Sequence, residues 1–80
     1  MMPTNYAYDK TWKDIEEMLE YAEVEKNKHK VAISNKDTSM KRKAQHMRDY
    51  KGLQGVCYAL RWTLGDKDIR SQVVLGRESQ

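Results

Sequence analysis

The sequence predicts an all-α protein: an antiparallel helical hairpin with a short C-terminal segment, assembling into a helical bundle. Three observations predict it. No proline or glycine occurs between residues 8 and 51, and helix-forming Lys, Glu, Ala, Met, Leu and Arg dominate that stretch. Two apolar seams recur at heptad spacing, Tyr8, Trp12, Ile15, Leu19 and Ala22, then Tyr50, Leu53, Cys57, Leu60 and Leu64. A polar run from Ser34 to Ser39 separates them, with several residues suited to capping a new helix.

The 80 residues make one domain. Helix 1 is expected over about 9–33, starting near Asp9 or Thr11. Thr11 and Asp14 have capping-box spacing, with Asp in place of the preferred Glu. Acids come early in this helix and bases late, which suits the helix dipole. The turn is expected over 34–38 and helix 2 over about 39–64, with Gly65 in the position that favours a left-handed cap. Gly52 and Gly55 fall inside helix 2, where each costs roughly 1 kcal/mol against Ala. Close helix approach or a local kink would account for them. In segment 66–80, Asp66 or Asp68 would cap a short helix through Ile69, Val73 and Val74; a short strand, Val73 to Leu75, is the alternative. Gly76 to Gln80 reads as a frayed end.

Folding the chain at about residue 36 pairs positions whose numbers sum to 72. The layers are then Tyr8–Leu64, Trp12–Leu60, Ile15–Cys57, Leu19–Leu53 and Ala22–Tyr50. Continued toward the turn, the same rule pairs Lys26 with His46 and His29 with Lys43. Met18, Tyr21, Met47, Val56, Tyr58 and Trp62 lie off the seam. They are too many large apolar groups for a monomer's surface, so they are expected to form an interface between copies, a dimer or higher homo-oligomer. The alternative is that the C-terminal segment folds back over them.

Charge is sorted along the chain. Residues 9–25 carry a net charge of −5 and residues 26–51 a net charge of +7, which the overall +3 conceals. A hairpin gathers the bases at its tip. Lys26, Lys28 and Lys30 close helix 1, where cations are favourable. Lys41, Arg42 and Lys43 open helix 2, where they oppose the dipole. An anion such as a phosphate would relieve that opposition. These six residues, with His29, His46 and Arg48, are the candidate ligand-binding set, and nucleic acid or a nucleotide is the candidate ligand. No recognition-helix, RNP or zinc-finger motif is present.

Other chemistry is excluded or weak. The single cysteine, Cys57, rules out an internal disulfide framework and a Cys-rich zinc site, and reads as a small core residue. His29 and His46, with no acid at ligand spacing, read as solvated seam-end residues, so no metal and no cofactor is expected. The acids of helix 1 have no convergent partner for acid–base work. No Gly-rich phosphate loop or nucleophile elbow appears. No catalytic residue is therefore expected. The apolar stretch from Val56 to Leu60 is far too short to span a bilayer, and Met1 to Asn5 shows neither region of a signal peptide. A cytoplasmic protein with no membrane partner is expected.

The stretch from Tyr50 to Asp66, ending Ala59-Leu60-Arg61-Trp62-Thr63-Leu64-Gly65, resembles the closing helix of small uncharacterised tailed-phage helical proteins. It covers roughly a fifth of the chain. The resemblance implies a phage or prophage origin and a cytoplasmic setting in the bacterial host, and it assigns no functional residue. The residues off the seam carry a second reading of function: a protein–protein adaptor or inhibitor of a host protein, acting through the apolar, aromatic face of Trp62, Tyr58 and Met47.

Overall fold

A computed structural model describes residues 8–78. Two long antiparallel helices, α1 (Trp12–Ser34) and α2 (Met40–Thr63), pack along their length, and a single-turn helix α3 (Ser71–Val74) closes against α2. No strand occurs among the described residues. The hairpin is elongated, 45 Å in its long direction and 26 Å and 25 Å across. That length follows from helices of 23 and 24 residues at about 1.5 Å per residue.

Local chemistry sets every boundary. Thr11 caps α1 with the expected capping box. Its Oγ1 accepts from the Asp14 N–H at 3.1 Å, while the Thr11 N–H donates to Asp14 Oδ2 at 3.0 Å. The earlier candidate start, Asp9, lies outside the helix. Asn35 ends α1 and builds the turn, its Oδ1 accepting from the Asp37 N–H and its carbonyl from the Thr38 N–H. Ser39 then caps α2, accepting from the Arg42 N–H at 3.2 Å. The far end of α2 closes in a Schellman motif: Asp66 N–H donates to the Arg61 carbonyl and Gly65 N–H to the Trp62 carbonyl, with Gly65 at φ 86°.

The C-terminal segment is helical rather than a strand, and it is tied down. Asp66 does not cap α3, whose N-cap is Arg70 with no side-chain bond. Instead Asp66 holds the joint before α3, accepting from the Asp68 N–H and from Arg61 Nε, each at 2.9 Å. Beyond α3, the Arg77 N–H donates to the Gln72 carbonyl, and Arg70 pairs with Glu78. Gly76 to Glu78 is thus not frayed; Ser79 and Gln80 lie outside the described residues.

The fully buried core is small: Ala22 from α1, Cys57 from α2, and Ile69 and Val73 from the C-terminal segment. Half of it comes from the tail, so the tail is part of the fold. The inner stripe of α1, Ile15, Leu19, Ala22, Lys26 and His29, follows the expected seam. The register does not. The turn between Ser34 and Met40 is centred on Asp37 rather than Lys36, which carries each α1 position past its expected partner. His29 meets His46, not Lys43. Leu60, expected opposite Trp12, lines a groove with Ile15, Met18 and Tyr21. Trp12 is left 65% exposed and Tyr8, which precedes the helix at φ 54°, is 81% exposed. Neither closes a layer.

Gly52 and Gly55 are not sites of close helix approach. A Cβ built at either meets nothing within 4 Å. Among the described residues no helix is long and apolar enough to cross a membrane.

Candidate functional site

The hairpin turn delivers bases to one end of the molecule. Lys30, one turn before the end of α1, and Lys41, Arg42 and Lys43, the first turn of α2, flank the turn residue Lys36. None of these five is ion-paired among the described residues. The first turn of α2 holds no acid. Ser39 satisfies the Arg42 amide alone, so the Met40 and Lys41 N–H groups face the turn with no protein acceptor. Positive side chains and the positive end of the α2 dipole therefore act in the same direction.

The nine sequence-predicted ligand residues separate into groups. Lys30, Lys41, Arg42 and Lys43 sit at the tip. Lys28 is engaged by Glu25 at 3.0 Å, one turn further down α1. Arg48 donates to Gln45 Oε1 at 2.9 Å and is more than a turn below the first turn of α2. Lys26 is half-buried on the inner stripe. Lys36 belongs to the tip and was absent from the predicted set. Its signal was present, a base inside the polar turn itself, but a search by helix position passes over it. The expectation that α1 ends in bases also shifts, since its last turn, Val31 to Ser34, holds none.

His29 and His46 form the most defined side-chain contact between the two long helices. Their Nδ1 atoms stand 2.8 Å apart, with ring centroids at 5.1 Å and planes tilted by 47°. One ring donates through Nδ1–H and the other accepts through its Nδ1 lone pair. Both rings are half-buried. The expected register already puts the two histidines near each other; the structure brings them into direct contact and leaves both rings half-buried rather than solvated. The corrected register brings them together, and i to i+3 spacing leaves Lys26 and Lys43 as their neighbours on the same stripes.

Of the predicted interface residues, Met18, Tyr21, Met47, Val56 and Trp62 are exposed. Tyr58 is not free. It lines a groove of about 830 Å³ with Lys51, Gly55, Val73 and Arg77, between α2 and the tail. The tail thus comes alongside Tyr58, which is half-buried, while Trp62, which lines a second groove with Ser71, Val74 and Leu75, stays 52% exposed.

Cys57 is 2% exposed, and burial pushes its thiol pKa upward, away from the reactive thiolate. Comparison with family models, curated proteins and solved structures finds no match to this chain.

Proposed function

We propose that this chain is a non-enzymatic binding protein that captures a phosphate-bearing ligand, nucleic acid or nucleotide, at the hairpin tip. One observation carries the reading: five basic side chains without ion pairs among the described residues surround a turn that opens onto the N-terminus of α2, whose first turn holds no acid. Bases there cost stability in the free protein, and an anion offsets that cost. Lys30, Lys36, Lys41, Arg42 and Lys43 supply the charge. Among the described residues the tip carries basic side chains and no Tyr or Trp, which favours contact with phosphate over contact with bases. The resemblance of residues 50–66 to tailed-phage proteins and the free, buried Cys57 suit a cytoplasmic setting.

The test is fluorescence anisotropy with a labelled DNA duplex, and competition by ATP, over a range of salt. Binding is expected to weaken with salt at a slope of about 0.9 per phosphate contacted. Charge reversal of Lys41, Arg42 and Lys43 to Glu should abolish it with helicity retained. Unchanged affinity in that variant refutes the tip as the site.

A second reading has its own observation. Met18, Tyr21, Met47, Val56 and Trp62 remain exposed after the tail has folded back. They support a protein surface, for a second copy of this chain or a host protein.

A further inference from the structure

We propose that His29 and His46 form a two-imidazole site for a divalent late transition ion, zinc or copper, which clips α1 to α2 below the tip. The argument starts from the pair's geometry. Each ring comes from a different helix, is half-buried, and aims Nδ1 at the other at 2.8 Å. Zn–N bonds of 2.0–2.1 Å at a tetrahedral angle need the two nitrogens about 3.3 Å apart. The rings have to part by about half an ångström and turn by some tens of degrees so that both lone pairs meet at the ion, a side-chain adjustment within reach of half-buried rotamers.

Packing alone does not call for this pair. A hydrogen bond between two half-buried rings adds little over two apolar side chains of the same shape. Two Nδ1 atoms facing each other across helices, in contrast, are what a metal ion can use once the shared proton has moved to Nε2. Proton accounting closes as well. The ion takes the Nδ1 lone pairs of both rings, and the proton now on one Nδ1 moves to Nε2 of that ring. Both imidazoles stay neutral and no net proton is released.

The surroundings select the ion. Lys26 and Lys43 flank the pair on the same stripes, so a cation enters against like charge. Hard ions such as magnesium, which bind through charge and oxygen ligands, are disfavoured. Zinc and copper bind imidazole strongly enough to overcome the repulsion. Nearby carboxylates are engaged elsewhere, Glu25 by Lys28 and Asp49 by Gln45. Among the described residues no third His, Cys, Asp or Glu joins the pair, so water fills the remaining positions.

Calorimetric titration of the full chain with zinc and with copper(II) at neutral pH tests the site, alongside His29→Gln and His46→Gln. The expected result is one ion per chain, bound roughly tenfold or more weakly by either variant, with magnesium unable to compete. A zinc-dependent rise in the thermal midpoint should appear in the wild type alone. If a variant loses helicity, the ¹⁵N shifts of the wild-type imidazoles decide: zinc should move both Nδ1 resonances together. Absence of saturable binding, equal binding by the variants, or Nδ1 resonances that ignore zinc would each overturn the proposal.

Discussion

At the scale of single residues, capping decides where the helices begin. The Thr11–Asp14 pair satisfies two backbone donors of α1, and no other side chain caps its N-terminus. Thr11→Ala is expected to destabilise the protein by about 1 kcal/mol, read as a lower denaturation midpoint. Two carboxyls should also set the acid limit of stability. The Thr11 backbone N–H, followed by its hydroxyl, holds Asp14 below the ordinary value of 3.8. The Asp68 backbone N–H, followed by Arg61, does the same for Asp66. Because both folded values lie below the unfolded ones, their contribution is fully present above about pH 4 and fades as pH falls through the folded values. An acid titration followed by circular dichroism should lose helicity only below that range. In Asp66→Asn the loss should be shallower.

At the scale of elements, the tail matters more than its length suggests. Ile69 and Val73 are each 3% exposed and supply half the buried core. Ile69→Ala should therefore cost about 3 kcal/mol, and chemical denaturation should show the whole hairpin responding, not the tail alone. A loss confined to residues 66–78 would show that the tail docks without supporting α2. The two long helices were legible in the sequence because apolar periodicity and capping residues agree over more than twenty residues each, strongly enough to carry α2 through Gly52 and Gly55. The Schellman ending at Gly65 was legible for the same reason. The register was not. It depends on how many residues Asn35 and Ser39 leave in the turn, and either cap could have been chosen by another polar residue of that run. A shift of a residue or two in the turn moved Trp12 into solvent and His29 onto His46. The candidate site divides along the same line. The clustering of bases and the nearness of the two histidines follow from topology and were readable, whereas the direct ring-to-ring contact follows from the exact register and was not.

For the whole molecule, the proportion of core to surface is the governing fact. Among the described residues, four buried apolar side chains stand against many exposed large ones, Trp12, Met18, Tyr21, Met47 and Trp62 among them. A chain of this size with so small a core gains from assembly. Sedimentation over a wide concentration range should show reversible self-association that weakens in Trp62→Ala. A wild-type chain that stays monomeric throughout would leave the exposed face to a different partner or to solvent.

The short turn has a kinetic consequence. Closing a loop costs least when few residues intervene, and the Asn35–Ser39 connection is the smallest closure in the chain. Pairing should start there and zip toward the termini, with the His29–His46 layer early and the Ile69–Val73 tail last. Such local ordering of contacts belongs to fast folders. Substitutions in the turn should then act on the rate of folding, and substitutions in the tail on the rate of unfolding. The apolar base, the last part to be covered during folding, would be the first uncovered when the chain opens.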